Sequence, residues 1–246
     1  MISKLINRAW FFRRIGFRYF FKRTTFKGEK GAKINIARNV KIRNSTIYIG
    51  KNSVLTIEEN SDIKDVNFII NGHVHIGKGN IINKGGSPST LSIIINGTFI
   101  IGDFNRIQCR ILLRYKGVLK IKDYNNINYH SELRVDEKLE IGSFNQVSYE
   151  VNIWDTNTHS IYKADYRREL AIKHYPVFGY EFEKPKTKPV FIGDDCWIGR
   201  NVSILKGSYI SNRCIIGYQT TISNEKINPN TTVVPKIQNE YIKNDI

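Results

Sequence analysis

The chain has 246 residues, of which 41% are hydrophobic and 12% aromatic, so it is not intrinsically disordered and forms one extended domain or two small ones. Its formal net charge of +16 predicts attraction to polyanions, namely anionic lipid, an acidic polysaccharide, nucleic acid or a phosphorylated cofactor. A transmembrane helix is excluded, because no stretch approaches the roughly 18 uninterrupted apolar residues that it needs.

Residues 1–30 mix basic and aromatic side chains. Lysines and arginines up to Arg23 alternate with large apolar residues between Trp10 and Phe21. These charges interrupt the apolar core of any secretory signal, which excludes a standard signal peptide. Two roles stay open for a helical N-terminal segment over 1–30. It lies on anionic lipid as an amphipathic helix, caps the first turn of the domain that follows, or does both.

A recurring unit occupies the middle of the chain. It consists of an isoleucine, a corner residue, two variable residues, an asparagine, one further residue and an aliphatic residue, at 76–82, 101–107, 121–127 and 141–147. Asparagine suits these sites because it tolerates the left-handed backbone of a corner and its amide can bond to a stacked neighbour. We interpret residues 31–225 as one solenoid and residues 226–246 as a C-terminal tail.

Two segments interrupt this pattern. Residues 84–90 (KGGSPST) form a short loop by composition. Residues 154–189 lack the repeat altogether and must project from an otherwise regular solenoid. Long loops on rigid scaffolds often carry function, so we expect the functional residues here.

From residue 190 to residue 223 the chain repeats in steps of six. An isoleucine recurs at every sixth position from Ile192 to Ile222, and a small or aliphatic residue stands two positions before each. A period of six fits neither a helix nor a simple strand alternation. It predicts a short straight rung and a sharp corner, where glycines such as Gly193 fit most easily. Three rungs close a triangular coil of about 18 residues, and stacked coils bury a continuous aliphatic column.

The three cysteines, Cys109, Cys196 and Cys214, do not suggest a disulfide framework. Cys196 and Cys214 should occupy the same inward site in successive coils, as small buried hydrophobic residues in a reducing compartment. We therefore expect a cytoplasmic protein, which lies on the inner face of the membrane if residues 1–30 bind lipid.

With these hexads the chain resembles the hexapeptide-repeat acyltransferases, and among them the O-acetyltransferases of sugars and polysaccharides. The resemblance covers about residues 31–237 and is most specific at 190–223. It implies an all-β fold, a left-handed parallel β-helix, and a homotrimer with the acyl-CoA groove between neighbouring chains. It further implies acetyl-CoA as the acyl donor, no metal, and transfer to a sugar hydroxyl in capsule, O-antigen or exopolysaccharide synthesis.

The projecting loop opens with Asp155, Asn157 and His159 in the order Asp-x-Asn-x-His. Many O-acetyltransferases of this family have a similar segment here, so the resemblance implies that His159 is the general base for the acceptor hydroxyl. An imidazole suits this role because its pKa of about 6.5 leaves a neutral fraction at neutral pH. Asp155 or Asn157 would orient the imidazole ring or the acceptor.

The resemblance also places the acyl-CoA contacts in the last coils. The indole of Trp197 must face outward, because its neighbours Cys196 and Ile198 face inward. The family's Trp-Ile-Gly segment lies beside the acyl end of CoA, which implies contacts from Trp197, Gly199, Arg200, Gly217, Tyr218 and Lys236. Arg200 and Tyr218 are bulky where relatives have small residues. Of the family's C-terminal Gly-Asn-Pro-Ala-Lys element, only Pro235, Lys236 and Ile237 remain.

Four other functions compete with this one. An N-acetyltransferase of a nucleotide-linked amino sugar would need the same base. A non-catalytic β-helical binding protein is favoured if His159 is buried or far from any groove. The zinc-dependent γ-class carbonic anhydrases have a His-x4-His pair that is missing here, and His73 and His75 instead flank Val74 and face outward. The positive charge is not accompanied by a recognised nucleic-acid-binding module, so we do not expect a nucleic acid partner. We expect a saccharide acceptor, and the positive charge of the protein would suit an anionic one.

Overall fold

The structure is a computed structural model that describes residues 20–83, 90–176, 183–238 and 240–242. The first thirteen strands are β1 (Phe20–Lys22), β2 (Thr25–Gly28), β3 (Lys33–Ile36), β4 (Lys41–Arg43), β5 (Thr46–Ile49), β6 (Val54–Ile57), β7 (Asp62–Lys64), β8 (Val66–Ile70), β9 (His73–Ile76), β10 (Ile81–Ile82), β11 (Leu91–Ile101), β12 (Arg106–Ile107) and β13 (Arg110–Ile121).

The chain continues with β14 (Asn126–Ile127), β15 (Glu132–Val135), β16 (Lys138–Ile141), β17 (Gln146–Val147), β18 (Asn152–Trp154), helix α1 (Ala164–His174), β19 (Val190–Ile192), β20 (Trp197–Ile198), β21 (Ser203–Leu205), β22 (Tyr209–Ile210), β23 (Ile215–Ile216), β24 (Thr221–Ser223), β25 (Lys226–Ile227) and β26 (Thr232–Val233). In the part of the chain that the structure describes, no helix has the length and apolarity needed to span a membrane.

The strands stack in three columns, which form the faces of a triangular prism. Face one has the order β1-β4-β7-β10-β12-β14-β17-β20-β23-β26, and face two the order β2-β5-β8-β11-β13-β15-β18-β21-β24. Face three contains β3, β6, β9, the second halves of β11 and β13, and then β16, β19, β22 and β25. Neighbouring strands are parallel. The predicted left-handed parallel β-helix is therefore confirmed.

Side chains alternate between inward and outward positions along each short strand, and the inward ones form the core. Ile198 and Ile216 are directly paired in β20 and β23 and are fully buried, as the six-residue period predicts. Cys196 and Cys214 stand immediately before this pairing, and both are buried. Full burial of an aliphatic side chain contributes about 1.5–3 kcal/mol relative to exposure, so the stacked column is the main source of stability.

Buried asparagines form a ladder along one edge of the prism. The backbone N–H groups of Asn105, Asn125 and Asn145 donate to the side-chain oxygen of the asparagine one coil earlier, at 2.9, 2.8 and 2.9 Å. The predicted bonding between stacked asparagines is thus confirmed. It satisfies polar groups that would otherwise be buried without a partner.

The left-handed backbone of this edge belongs to the residue before each asparagine, whereas we expected it at the asparagine itself. Phe104, Tyr124 and Phe144 have φ values of 56°, 58° and 62°. Their rings stack with centroids 5.2 Å apart and are about half exposed. The side chain of each asparagine points into the corner, where it accepts a bond from the backbone of the next coil. The preceding residue therefore adopts the left-handed backbone that turns the chain.

The β-helix extends past both predicted boundaries, residues 31 and 225. At the start, β1 and β2 pair with β4 and β5, so residues 20–28 are strands and not part of a helix. At the end, β25 and β26 pair with β22 and β23. Ile227 follows Ile222 by five residues instead of six, which hid this rung from the hexad pattern. The cap or lipid-binding role was assigned to residues 1–30, of which residues 1–19 lie outside the described residues. Residues 84–89 of the predicted short loop lie outside them too.

The predicted projecting loop leaves the prism between β18 and β19, at the edge that joins faces two and three. Helix α1 lies within it, and none of the described residues of α1 is buried. Side chains of the loop that are strongly exposed include Ile161 at 93% and Ile172 at 81%. The described part of the loop around α1 is therefore presented to solvent.

Candidate functional site

The root of the projecting loop is closed by a short antiparallel contact. Thr156 and Thr187 form an isolated β-bridge. The N–H of Asn157 donates to the carbonyl of Lys186 at 3.0 Å, and the N–H of Lys188 donates to the carbonyl of Asp155 at 2.9 Å. The two arms of the loop are thereby held together where they leave the β-helix, which fixes the start of the segment that carries His159.

Asp155 is fully buried and bonded to the backbone of the preceding coil. Its carboxylate accepts N–H bonds from Asp136 at 2.8 Å, Glu137 at 2.7 Å and Lys138 at 2.6 Å. Burial raises the pKa of this carboxyl, while the three backbone donors act in the opposite direction. Both oxygens are engaged, so Asp155 anchors the loop. The geometry does not support the expected role in orienting the imidazole of His159.

His159 and Asn157 are both exposed at the surface of the loop. The backbone N–H of His159 donates to the carbonyl of Asn157 at 2.7 Å. Thr158, between them, has a left-handed backbone with φ of 64°, and its N–H donates to the hydroxyl of Thr156 at 3.0 Å. The segment therefore makes a tight local turn that presents the side chain of His159 to solvent.

Trp197 faces outward from face one, as predicted, and is 61% exposed. A shallow cavity of about 250 Å³ lies beside its indole. The residues that line it are Asn128, Gln146, Val147, Ser148 and Trp197. An exposed indole beside a shallow groove is suited to contact a ligand or a second protein surface.

Gly199, Gly217 and Tyr218 lie at the corner that follows face one. A Cβ on Gly199 would stand 2.9 Å from the backbone nitrogen of Tyr218, so successive coils approach closely at this point. Tyr218 is 54% exposed. Lys236 lies beyond β26 and is exposed. The structure thus places these predicted contacts at the C-terminal end of the β-helix.

Arg200 forms a two-bond ion pair with Glu150, a contact that the hexad pattern does not predict. Its Nε lies 2.8 Å and its Nη2 3.1 Å from the two carboxylate oxygens. The hydrogen bonds and the charge of Arg200 lower the pKa of Glu150. The projecting loop separates the two residues in sequence. The signal that could have found the pair is the coil register, because Val147 pairs with Ile198 and so aligns the corners that follow.

One chain does not bring His159 and Trp197 together. The loop with His159 leaves from the edge between faces two and three, whereas Trp197 lies on face one. In a triangular prism this edge is opposite face one. The two halves of the predicted site therefore lie on opposite sides of the same chain.

Residues 189–224 match the family model described as bacterial transferase hexapeptide (six repeats). A search of curated proteins found no match.

Three solved structures align with most of this chain. The polysialic acid O-acetyltransferase OatWY has a TM-score of 0.49 and 20% identity, over 89% of this chain and 94% of that one. The polySia-specific acetyltransferase NeuO has a TM-score of 0.41 and 16% identity, over 91% and 90%. A UDP-N-acetylglucosamine acyltransferase has a TM-score of 0.37 and 14% identity, over 88% and 66%. Residues 189–224 thus carry the hexapeptide repeat of the bacterial transferases, and they form the last coils of the β-helix.

Proposed function

We propose that the protein is an acetyl-CoA-dependent O-acetyltransferase that transfers an acetyl group to a sugar hydroxyl in the synthesis of a surface polysaccharide. The observation that carries the proposal is the exposed position of His159 on a loop that is fixed at its root and projects from a hexapeptide-repeat β-helix. A buried His159 would have favoured a non-catalytic binding protein.

In this proposal the imidazole of His159 takes the proton of the acceptor hydroxyl as its oxygen attacks the thioester carbonyl. The C–S bond then breaks, the sulfur of CoA leaves, and the proton on the imidazole is available to neutralise it. Transfer is direct, since Cys196 and Cys214 are buried inside the coils and neither can form an acyl-enzyme. In this proposal Asn157, which is exposed beside His159, contacts the acceptor.

We also propose a C3 homotrimer with composite sites. The exposed indole of Trp197 and helix α1, in which no described residue is buried, both suit contact with another chain. His159 and Trp197 lie on opposite sides of one prism, so a site that uses both needs two chains, and a cyclic trimer supplies three equivalent ones. The proposed donor contacts are Trp197, Gly199, Arg200, Gly217, Tyr218 and Lys236. Light scattering at micromolar protein should give three times the chain mass, and a monomer mass would contradict this assembly.

The acceptor is proposed to be an anionic saccharide, because the chain carries a formal net charge of +16. The same charge suits contact of a cytoplasmic protein with the inner face of the membrane through residues 1–30. Removal of residues 1–19, which leaves the described strands intact, should abolish sedimentation with anionic vesicles. Unchanged sedimentation would contradict the membrane contact.

The decisive experiment measures thioester turnover with acetyl-CoA against a panel of neutral sugars, acidic polysaccharides and nucleotide-linked amino sugars. We expect turnover with a saccharide hydroxyl in the wild type and its loss in His159→Ala. Turnover only on the amino sugars would show an N-acetyltransferase instead. Absence of turnover on every acceptor, with binding of a polysaccharide retained, would show a β-helical binding protein.

A further inference from the structure

Arg114 forms a forked ion pair inside the β-helix, two coils before the projecting loop. Its Nε lies 2.9 Å and its Nη2 2.6 Å from the two oxygens of Asp136. Asp136 is fully buried, and the side chain of Arg114 is only 23% exposed. A buried carboxylate requires such a partner, so this pair alone would be an ordinary part of the scaffold.

The same guanidinium has a further contact that the scaffold does not require. Nη2 of Arg114 also donates to the carbonyl oxygen of Thr158 at 3.1 Å. Thr158 directly precedes His159 and has the left-handed backbone of the tight turn. Arg114 therefore holds the peptide that presents the imidazole, although 44 residues separate Arg114 from Thr158.

The contacts of Arg114 and Asp155 form one connected arrangement. The N–H of Asp136 donates to the carboxylate of Asp155, which anchors the root of the loop. The carboxylate of Asp136 in turn binds Arg114, whose guanidinium reaches Thr158. The segment from Asp155 to Thr158 is thus fixed at both ends from the same two coils. The negative charge of Asp136 also raises the pKa of Asp155.

Tyr115, the next residue, holds the returning arm of the loop. Its hydroxyl donates to the carbonyl of Glu183 at 3.3 Å, and the guanidinium of Arg114 lies over its ring at 5.3 Å. Tyr115 has a left-handed backbone with φ of 52°, a conformation that bulky residues seldom adopt. Two consecutive residues at one corner therefore contact both arms of the projecting loop.

We propose that Arg114 is a positioning residue that sets the place of His159 through Asp136 and the carbonyl of Thr158. The inference rests on the proposed role of His159 as the base. A general base loses much of its effect on the rate when it is displaced by about 1 Å. The two-bond contact of Arg114 should therefore raise the rate of acetyl transfer, although Arg114 does not contact the substrate.

The test compares Arg114→Lys with the matched control Arg110→Lys. Both arginines lie on β13 and pair with a carboxylate of the next coil, but Arg110 bonds Glu132 at 2.9 Å and the structure shows no bond from it to the described part of the loop. Lysine keeps the charge and removes the planar fork. By hydrogen exchange we expect faster exchange of the amides at 155–160 in Arg114→Lys only, with the coils at 190–223 unchanged. Unchanged exchange at 155–160 would overturn the inference.

Kinetics supply the second readout. Arg114→Lys should lower kcat by about 10- to 100-fold with the KM for acetyl-CoA unchanged, because the donor contacts lie elsewhere. In a His159→Ala background the same substitution should cost nothing further, since its effect acts through the imidazole. Full additivity of the two losses would overturn the inference. A wild type without transferase activity would contradict the proposed function, and the exchange at 155–160 would still decide whether Arg114 holds the loop.

Discussion

The backbone N–H of Asn145 donates a hydrogen bond to the side-chain oxygen of Asn125, 2.9 Å away in the preceding coil. The amide nitrogen of Asn125 donates to the side-chain oxygen of Asn105 at 3.0 Å and to the carbonyl of Gly142 at 2.8 Å. Asn125 is 2% exposed, so these bonds lie away from water. The edge of the prism is thus held by a continuous polar ladder beside the apolar columns.

Substitution of Asn125 by alanine should therefore destabilise the β-helix. The N–H of Asn145 would lose its side-chain acceptor and the carbonyl of Gly142 a donor, and an unsatisfied buried group costs about 1–3 kcal/mol. Urea denaturation should show a loss of about that size in the free energy of unfolding. Asn126→Ala is the control, because its amide bonds Gln146 at the surface. Equal losses in both variants would contradict the role of the ladder.

Substitution of His159 by alanine should reduce the rate of acetyl transfer by about 10²–10⁴-fold, the usual effect of removing a positioned general base. Binding of acetyl-CoA should change little, because the proposed donor contacts lie in the coils after residue 190. Steady-state kinetics and calorimetric titration measure the two effects. His130→Ala, at an exposed corner of the prism, should retain activity. If His159→Ala turned over like the wild type, His130 and His174 would be the next candidates for the base.

Substitution of Trp197 by alanine should raise the KM for acetyl-CoA about 10-fold or more, because a large aromatic contact with the donor is lost. The free energy of unfolding should change by less than about 0.5 kcal/mol, since the indole is 61% exposed. Tyr209→Ala, which removes a 44% exposed ring from face three, serves as the control. An unchanged KM in Trp197→Ala would remove face one from the proposed donor groove.

The buried cysteines should be chemically inert in the folded protein. Burial raises the pKa of Cys109 to about 12 and that of Cys196 to about 11. The reactive thiolate is therefore scarce at neutral pH. Iodoacetamide at pH 7.5 should label neither residue until denaturant is added, as mass spectrometry of the peptides would show. Cys196→Ala should keep its transferase activity, and loss of activity with an intact fold would point to an acyl-enzyme.

The pair of Arg200 and Glu150 should respond to acid. The hydrogen bonds from Arg200 lower the pKa of Glu150 from its ordinary value of 4.5. The pair therefore contributes at pH values above about 4.5, and its contribution disappears as the pH falls through the lowered pKa of the folded state. In Arg200→Gln the pKa of Glu150 should return toward 4.5, measured by NMR titration of its carboxyl carbon. Arg213→Gln is the control, because that guanidinium bonds Asn230. An equal shift in both variants would contradict a specific pair.

The repeat itself could be predicted from the sequence because its cause is local. An inward isoleucine every six residues, as at Ile198 and Ile216, follows from the geometry of one rung and one corner. The same local rule predicts that Trp197 faces outward and that residues without the repeat project as a loop. The rule weakens where corners hold insertions or deletions, which is why both ends of the β-helix were placed too far inward.

The sequence by itself determined the β-helix, its inward columns and the exposed segment with His159, since each depends on side-chain order within a single coil. Only the tertiary structure decided which coils exchange side-chain contacts. Asp155 bonds the backbone at 136–138, Arg114 reaches Thr158, and Arg200 pairs with Glu150. The number of residues per coil varies, because some corners hold insertions and one coil holds the projecting loop. The sequence separation of two residues therefore does not tell whether they are neighbours in adjacent coils. The position of His159 opposite the face of Trp197 follows from that register and from the three-sided cross-section of the coil.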